Sequence, residues 1–327
     1  MEAFDAKTLA PPVSVVMCTY NGHRYLREQL ESIAQQSRLP NELVVCDDQS
    51  TDDTIAILRD FASQTPFPVR VFQNSVRLGS TRNFAQAIGL ACGDLIALCD
   101  QDDRWAPNKL RVLSDFLVAN PSVGGVFSDA DLIDENSQSV GLTLFVKHKF
   151  SPRRLQRFLS NPAATLLRHN VVTGSTLMFR TSLRSQSLPI PASWVHDGWL
   201  TWMITLYSRI ALVAIPLTAY RIHAGQQLGA GTRGSELKNE TLQEHYARIA
   251  VQFEDLLNKL LADGRKEQDG LVVEVREKIA FLKRQSVLST SMVVRALQIV
   301  RLLPRYLHYA RGFGSLRNDL LLGRGMS

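Results

Sequence analysis

The sequence predicts an α/β protein in which helices cover both faces of a mostly parallel β-sheet, followed by an α-helical C-terminal extension. Two observations predict the sheet: short apolar runs alternate with longer helical patterns over the first 135 residues, and these runs lack regularly alternating polar residues. Strands that are covered on both faces have this continuous apolar character. A third observation predicts the extension, because the chain after Gly231 carries helical patterns throughout. We therefore expect a domain of residues 1–230 and an extension of residues 231–327.

The first half of the chain supplies the centre of the sheet. Its apolar runs predict strands at Val13–Cys18, Leu43–Asp47, Val69–Gln73, Leu95–Cys99 and Gly124–Ser128. The helical patterns between them cover Tyr25–Gln36, Thr54–Ser63, Ser80–Ala91 and Pro107–Asn120. Ser50–Thr51 are cap-like residues before the second of these helices, and Pro107 suits the first turn of the fourth.

The second half is mixed up to residue 223 and helical after it. It predicts a basic helix in SPRRLQRFL, a strand in TGSTLMFR, a helix in HDGWLTWMITLY and a last strand in ALVAIPLTAYRIH. The extension predicts helices at Glu236–Ala262, Leu271–Leu288 and Val293–Arg311. Pro304 lies inside the last of them and is expected to kink or divide it.

Composition excludes several classes of protein. The 327 residues are 45% hydrophobic and 21% charged, which is typical of a globular protein and not of a disordered, collagen-like or disulfide-scaffold chain. The 37 Lys and Arg residues exceed the 31 Asp and Glu residues by a net charge of +6. This excess is too small to predict a nucleic-acid partner.

Three of the four cysteines, Cys18, Cys46 and Cys99, lie within apolar runs, and no pair of cysteines has the spacing of a zinc site. We expect reduced thiols and a cytoplasmic protein. The N-terminal MEAFDAKTLAPP has no apolar segment of the signal-peptide kind. IALVAIPLTAY is much shorter than the roughly 20 residues that span a bilayer, so no transmembrane segment is expected.

Carboxylates follow two of the predicted strands directly. Asp47–Asp48 end the second strand, and Asp100, Asp102 and Asp103 follow the fourth. Ligands of open parallel sheets bind at the carboxyl ends of the strands. Solvated turn aspartates are the alternative, but so many neighbouring carboxylates repel one another unless a cation or hydrogen-bond donors compensate them.

Hard carboxylate oxygens favour Mg²⁺ or Mn²⁺, which proteins commonly hold with one or two carboxylates together with substrate phosphates. The chain has no GxGxxG after its first strand and no GxxxxGK[ST], so neither a dinucleotide fingerprint nor a P-loop is predicted. A phosphate-bearing ligand bridged by a metal to the acidic strand end accounts best for the cluster.

Several motifs, in order along residues 13–224, carry a family resemblance. SVVMCTYNG at 14–22, VVCDDQSTDDT at 44–54 and NSVRLGSTRNFAQAIGLACGDLIALCDQDDRW at 74–105 resemble family 2 glycosyltransferases of the GT-A fold. The DQDDxW form is similar to that of bacterial rhamnosyltransferases of surface-polysaccharide synthesis. The resemblance implies that Tyr20 and Asp48 contact the nucleotide base, that Asp100 lies near the ribose and diphosphate, and that Asp102 ligates the metal with Asp103 beside it. Asn21 and Asn83 are either polar contacts to the donor or cap residues.

His196, Asp197 and Trp199 begin a helical pattern, where an acid also interacts favourably with the helix dipole. HDGW resembles the HDWW motif of the family, and the resemblance implies that Asp197 is the catalytic base of an inverting transfer. His196 and Trp199 of this motif, together with Asp103, are candidate contacts to the acceptor or to a phosphate. The base would take the proton of the acceptor hydroxyl as that hydroxyl attacks the anomeric carbon. Gly198 stands where the family has a second Trp.

The last predicted strand ends in Tyr220-Arg221-Ile222-His223, which resembles a YRxH element of the family. The resemblance implies that His223 completes the metal shell with Asp102. Arg221 either meets phosphate or is a salt-bridged strand residue, and Gly174–Ser175 resemble an element that faces the acceptor.

The function implied is a metal-dependent, inverting transfer of a sugar, with rhamnose from dTDP-rhamnose preferred, to a glycan or lipid-linked acceptor of O-antigen, capsule or exopolysaccharide synthesis. A sugar-phosphate nucleotidyltransferase is one alternative, but its Gly-rich basic loop is replaced here by Thr19–Gly22. An inactive scaffold of a polysaccharide assembly complex is another, although it would be expected to have lost one of Asp102, Asp197 and His223.

Positive charge is concentrated at the C-terminus: residues 281–327 carry +7, and the rest of the chain −1. On a helical projection one face carries Met292, Ala296, Ile299, Leu303, Tyr306 and Ala310, and another carries Arg301, Arg305 and His308. A solvated basic face is one interpretation. Docking on the anionic inner face of the cytoplasmic membrane, where a lipid-linked acceptor would lie, is the preferred one.

Overall fold

The computed structural model describes residues 10–223, 240–289, 291–310 and 313–321. Four parallel strands form the first half of a nine-stranded sheet: β1 (Val13–Thr19), β2 (Glu42–Asp47), β3 (Val69–Gln73) and β4 (Leu95–Cys99), in the spatial order β3-β2-β1-β4. Every residue of β2 and β4 is buried. This explains their continuous apolar sequences, since helices flank the sheet.

The second half of the sheet is mixed rather than parallel. It contains β5 (Arg104–Trp105), β6 (Val123–Ile133), β7 (Ser139–Thr143), β8 (Leu177–Arg180) and β9 (Arg209–Arg221). The order continues β4-β8-β6-β9-β5, with β7 paired to β6. Of these pairings only β6 with β9 is parallel. The expected α/β class is confirmed, but the description of the sheet as mostly parallel holds only for its first half.

Helices connect these strands. They are α1 (His23–Ala34), α2 (Thr54–Gln64), α3 (Ser80–Leu90), α4 (Lys109–Ala119), α5 (Leu144–Lys147), α6 (Pro152–Ser160), α7 (Pro162–Leu166), α8 (Arg184–Ser187) and α9 (His196–Tyr207). Ser50–Thr51 do not cap α2: its N-cap is Asp53, and the Asp52 carboxylate accepts from the Thr54 N–H. In TGSTLMFR a 3₁₀ turn, Gly174–Thr176, precedes the strand.

The chain divides into two compact units. The first comprises residues 1–160, 172–190 and 195–224, and the second comprises 161–171, 191–194 and 225–327. The boundary expected between residues 230 and 231, and the expected helix start at Glu236, lie outside the described residues. The second unit contains α7, α10 (Leu242–Ala262), α11 (Gly270–Gln285), α12 (Met292–Tyr309) and α13 (Phe313–Leu321), the last of which was not predicted.

Of the two expected effects of Pro304, a kink or a division of the last long helix, the division is wrong and the kink stays a prediction. Helix α12 runs from Met292 to Tyr309 with Pro304 inside it. Pro304 and Val300 are both exposed, so the carbonyl group that loses its partner to the proline faces water. The hydrogen bond missing from the helix is therefore not a buried one.

The buried face of α12 does not coincide with the apolar face of the helical projection. The buried residues are Arg295, Ile299, Leu302, Tyr306 and Tyr309, whereas Met292 and Leu303 are 61% and 40% exposed. Polar groups on the buried face find partners: Arg295 donates to the carbonyls of Ser289 and Leu320, and the Tyr306 hydroxyl donates to Asp319. A hydropathy pattern does not predict such hydrogen bonds, and it therefore does not predict that Arg295 is buried.

All four cysteines are free thiols, and only Cys92 is exposed. Within the described residues, no helix is both long enough and apolar enough to cross a membrane.

Candidate active site

The loop Asp100–Asp103 follows β4 at the carboxyl end of the parallel strands. Gln101 ties this loop to the end of β1, because its Oε1 accepts from the Tyr20 N–H (2.9 Å) and its Nε2 donates to the Tyr20 carbonyl (3.1 Å). A Cβ atom at Gly22 would lie 2.2 Å from Gln101 Oε1, so only glycine leaves room for this contact. Gln101 was not among the predicted site residues, although it lies between Asp100 and Asp102 in the sequence.

Asp102 and His223 lie side by side. His223 Nε2 and Asp102 Oδ2 are 2.9 Å apart, and the Tyr25 ring packs against the imidazole with ring centroids 4.8 Å apart. The two residues are 121 positions apart in the chain, and β9 brings His223 to the loop after β4 because it pairs with β5. The predicted pair of ligands is therefore close in space, and its role in metal binding stays a prediction.

The donor set at Asp102 and His223 fits a divalent cation that is shared with a substrate phosphate. Cations such as Mg²⁺ are held at about 2.1 Å in octahedral geometry, which puts neighbouring ligand atoms about 3 Å apart. Among the described residues, no group of three or more His, Cys, Asp or Glu side chains forms a complete protein cage. A pair of protein ligands is the arrangement expected where phosphate oxygens complete the shell.

Arg221 is a structural residue of this site. It is fully buried, its Nε donates to the Asp102 carbonyl (2.7 Å), and its guanidinium also donates to Glu28 and Ser137. Its backbone N–H donates to Asp103 Oδ1 (3.0 Å). Of the two readings of Arg221, the salt-bridged strand residue is the one the geometry matches, because a guanidinium so engaged has no surface for a ligand phosphate.

Asp103 and Asp100 lie in a strongly desolvated environment. Burial first, and the neighbouring Asp102 second, raise the pKa of Asp103 to about 7. Burial and the carboxylates of Asp103, Asp102 and Asp197 raise the pKa of Asp100 well above its usual value. The carboxylates of the loop and of Asp197 thus influence one another, as expected for parts of one site.

Lys109 is a buried cation beneath the loop that the sequence analysis missed. Its ammonium donates to the Ser175 carbonyl and to Thr218 Oγ1 (2.8 Å), and lies 4.0 Å from the centre of the Trp105 ring. Burial lowers its pKa to about 7, while the neighbouring Cys99, Asp103 and Asp100 act to raise it. The available signal was its position six residues after Asp103, at the start of a helix.

Asp197 lies in the first turn of α9. Its Oδ1 accepts from the Gly198 N–H (2.6 Å), and the helix begins at His196 as expected. Burial raises its pKa to about 6, opposed by hydrogen bonds from the Gly198 and Gly174 backbone. A carboxylate with a pKa close to neutral is suited to accept a proton.

Gly174 and His196 lie against Asp197. A Cβ atom at Gly174 would be 2.8 Å from His196 Nε2 and 3.6 Å from Asp197 Cβ, so a side chain there would displace the motif. The His196 ring stacks on Phe84 with centroids 3.9 Å apart, and burial lowers its pKa to about 3, which keeps it neutral. Ser175 is buried, and a hydrogen bond from its side chain acts to lower the pKa of Asp103.

Trp199 is only 2% exposed, and its Nε1 donates to the Ser187 carbonyl (2.8 Å). This places the indole in the core of its unit instead of on a surface open to an acceptor. The predicted acceptor contact at Trp199 is therefore not supported by its position.

The two residues expected to contact the nucleotide base, Tyr20 and Asp48, have different surroundings. Tyr20 lies at the end of β1, with the Arg77 guanidinium 4.0 Å from the centre of its ring. Asp48 is buried and anchors the start of α3, since its carboxylate accepts from the backbone N–H groups of Leu78 and Gly79 and from the side chain of Asn74. Arg77 was not among the predicted site residues.

Asn21 and Asn83 use their amides within the fold. Asn21 has a positive φ of 46° and accepts from the Thr51 N–H (2.8 Å), so it shapes the turn after β1. Asn83 is buried, donates to the Cys46 carbonyl and accepts from Asn74. Of the two readings of each asparagine, the structural one matches this geometry.

Known proteins are similar to this chain in sequence and in fold. The profile of Glycosyl transferase family 2 matches residues 14–185, more than half of the chain. A similar chain, "Uncharacterized protein Rv1520" of Mycobacterium tuberculosis, is 26% identical over 80% of this chain and 72% of its own length. "dTDP-rhamnosyl transferase RfbG" of Shigella flexneri is 34% identical over 32% of this chain and 37% of its own.

Two solved structures have the same architecture. Residues 1–349 of S. aureus TarS, in complex with UDP-GlcNAc, superpose with a TM-score of 0.57 at 19% identity, covering 94% of this chain and 89% of that one. The mannosyltransferase PcManGT of Pyrobaculum calidifontis, in complex with GDP-Man and Mn²⁺, superposes with a TM-score of 0.55 at 18% identity, covering 96% and 86%. The expected GT-A fold is thereby confirmed. On the match of its profile, the chain belongs to glycosyl transferase family 2 and is a glycosyltransferase.

Proposed function

We propose that this glycosyltransferase moves a sugar from a nucleoside diphosphate to an acceptor hydroxyl with inversion at the anomeric carbon, and that Asp197 is its base. The observation that carries the proposal is the desolvated Asp197 carboxylate, whose pKa is raised to about 6 and whose charge acts on Asp100 of the opposite loop. The base and the acidic loop are therefore close enough to serve one substrate.

In the proposed step, the acceptor oxygen forms a bond to the anomeric carbon of the donor sugar. The bond from that carbon to the diphosphate oxygen breaks, and the nucleoside diphosphate leaves with the electron pair. The proton of the acceptor hydroxyl passes to the Asp197 carboxylate. One displacement without a sugar–enzyme intermediate inverts the anomeric centre.

Asp102 and His223 are the residues that would hold a divalent cation, Mn²⁺ or Mg²⁺, whose chemistry there is to offset the charge of the departing diphosphate. The 2.9 Å between Asp102 Oδ2 and His223 Nε2 supports this assignment. Asp100 would lie beside the ribose and diphosphate. Tyr20 and Asp48 would contact the base, with Asp48 also fixing the backbone at Leu78 and Gly79.

We propose rhamnose from dTDP-rhamnose as the donor. Two observations support this choice: the DQDDRW motif, and the similarity of one third of the chain to a protein named as a dTDP-rhamnosyl transferase. A panel of dTDP-, UDP- and GDP-sugars with Mn²⁺ tests it, because a ligand that binds the folded state raises the unfolding temperature. Protection by UDP-GlcNAc or GDP-mannose with none by dTDP-rhamnose would exclude rhamnose.

We propose a glycan or lipid-linked acceptor of cell-surface polysaccharide synthesis, and a cytoplasmic enzyme bound to the inner face of the membrane. The outer face of α12 supports this location. Val293, Leu297, Val300 and Leu307 follow one another at helical spacing and are between 57% and 72% exposed, on the side opposite the packed residues. Amphipathic helices of this kind lie in membrane interfaces.

The transfer is tested by incubating the enzyme with donor, Mn²⁺ and extracted polyprenyl-linked glycans, and measuring nucleoside diphosphate. Release that depends on the acceptor supports glycosyl transfer. In a second mixture that holds a nucleoside triphosphate and a sugar 1-phosphate in place of the donor, release of inorganic pyrophosphate would instead indicate a nucleotidyltransferase. No release in either mixture would indicate an inactive scaffold.

The membrane contact of α12 is tested with the double variant Leu297→Ser/Val300→Ser and sedimentation with phospholipid vesicles. The matched control is Val251→Ser/Val273→Ser, which changes two exposed valines of α10 and α11. We expect the first variant to bind vesicles about tenfold more weakly, since each substitution by serine removes apolar area from the membrane interface. Equal binding of the two variants to vesicles would exclude a membrane contact through this face of α12.

A further inference from the structure

The segment from β7 to α6 carries positive charge without negative charge. Residues 136–196 contain eight Lys and Arg residues and no Asp or Glu. Five of the eight fall within eleven consecutive residues: Lys147, Lys149, Arg153, Arg154 and Arg157. The proposed chemistry of the site uses none of them. A charge run so uniform in sign raises the question of what negatively charged surface it meets.

Helix α6 presents its arginines to solvent. Phe158 is fully buried and packs edge-on against Phe127, with ring centroids 5.8 Å apart. Arg153 and Arg157 are four residues apart, so they lie on one side of the helix, and both are exposed, as is Arg154. The helix is thus held to its unit by one aromatic anchor while its cationic face stays free of the core.

Aliphatic side chains are exposed on the same segment. Val140 and Leu142 lie on one face of β7, since they are two residues apart on a strand, and each is 46% exposed. Val146 of α5 is 59% exposed, and Leu159 of α6 is 41% exposed. Exposed aliphatic residues next to a cluster of cations are the combination that binds the interface of an anionic bilayer.

The β-ladder puts this segment near the acidic loop. Thr143 at the end of β7 pairs with Asp131, Asp131 pairs with Ala219, and Ala219 pairs with Arg104, which follows Asp103 directly. Neighbouring strands are about 4.8 Å apart, so three steps place Thr143 about 14 Å from Arg104. A surface bound at this segment would lie within reach of the substrate site.

We propose that the surface formed by Val140, Leu142, Val146, Leu159 and the five cations of residues 147–157 docks on the anionic headgroups of a phospholipid bilayer. Charge complementarity and the adjoining aliphatic side chains favour a bilayer over a nucleic acid, which offers no apolar interface. The surface belongs to the same unit as the active site and is distinct from α12. Its contribution to function rests on the proposed lipid-linked acceptor, but its binding to lipid does not.

The test is sedimentation of the full chain with vesicles of phosphatidylcholine alone or with one third phosphatidylglycerol. The variant is Arg153→Gln/Arg154→Gln/Arg157→Gln. The matched control, Arg59→Gln/Arg111→Gln/Arg209→Gln, removes three exposed charges elsewhere in the same unit. Because the control has the same net charge, a difference between the two reports position and not overall charge.

We expect the α6 variant to bind phosphatidylglycerol vesicles at least tenfold more weakly than the control, and the difference to shrink at high salt. Binding to phosphatidylcholine vesicles should be alike for both. Equal binding of the two variants to anionic vesicles would overturn the proposal. Vesicles hold no sugar substrate, so this result is independent of whether the proposed transfer is correct.

Discussion

Asp197→Asn keeps the shape of the side chain at the start of α9 and removes its ability to take a proton. The backbone N–H of Gly198 has an oxygen to donate to in either residue. Donor binding should therefore persist, while transfer should fall by about 10²- to 10⁴-fold, the range that general base catalysis contributes. Asp94→Asn, at an exposed carboxylate before β4, is the control.

The pH dependence follows from the raised pKa of Asp197. With a pKa of about 6, roughly nine tenths of the carboxylate is ionised at pH 7 and roughly one tenth at pH 5. Only the ionised form accepts a proton, so kcat should fall about tenfold between these values. The assay is nucleoside diphosphate release at saturating donor, acceptor and Mn²⁺.

The raised pKa of Asp197 also makes the folding stability depend on pH. Asp197 binds its proton more tightly in the folded state than at its ordinary value of 3.8, so folding loses stability as the pH rises from about 4 to 6. The shift of about two units corresponds to roughly 3 kcal/mol at most. Above pH 6 the inactive Asp197→Asn variant should unfold at a higher temperature than the parent, and below pH 4 it should not. A variant that is active, or that is less stable than the parent at pH 7, would refute the assignment of Asp197 as a desolvated base.

Three further predictions concern other parts of the molecule. Asp102→Ala should weaken donor binding in Mn²⁺ and leave the weaker binding in EDTA unchanged; calorimetry that finds equal losses in both would argue against a metal ligand. Lys109→Met removes the ammonium that donates to the Ser175 carbonyl and the Thr218 hydroxyl, and leaves between them only the long 3.4 Å hydrogen bond from Thr218 to Ser175, so urea unfolding should show a loss of about 2 to 4 kcal/mol. The exposed Lys266→Met is its control, and a similar small loss in both would contradict the buried role. Thr241→Ala removes the capping box of α10 and should cost about 1 kcal/mol in the same assay, whereas an unchanged midpoint would show that the cap is dispensable.

The ends of some strands and helices could be predicted from local sequence patterns alone. Strands β3 and β4 and helix α9 begin and end at the predicted residues, because turn-forming residues such as Pro68, Asn74 and Ser208 follow or precede each of these short patterns closely. The other strand and helix ends differ from the predicted ones by a few residues, as in β6, which ends at Ile133 and not at Ser128. That extension consists of polar as well as apolar residues that pair with β7 and β9, which is a non-local event.

Only the fold shows which polar residues bond within the protein and which are free to bind a ligand. Arg221, Asn83 and Trp199 belong to sequence motifs of the family, yet their polar groups are used by Asp102, Cys46 and Ser187 inside the protein. Whether a polar side chain is free for a ligand depends on which donors and acceptors the rest of the chain brings to it. Such partners are often more than 30 positions away in sequence, as Asn83 and Cys46 are 37 apart.

The sequence by itself determined the α/β class, the family and the places where carboxylates follow buried strands, since these depend on the order of residues along the chain. Only the tertiary structure decided that His223 meets Asp102, that Lys109 lies beneath the acidic loop, and that α12 turns Val293 and Leu297 outward while burying Arg295. Each of these is a contact or an exposure set by distant segments. Solvation and neighbouring charge, which tune the pKa of Asp197, arise only when those segments come together.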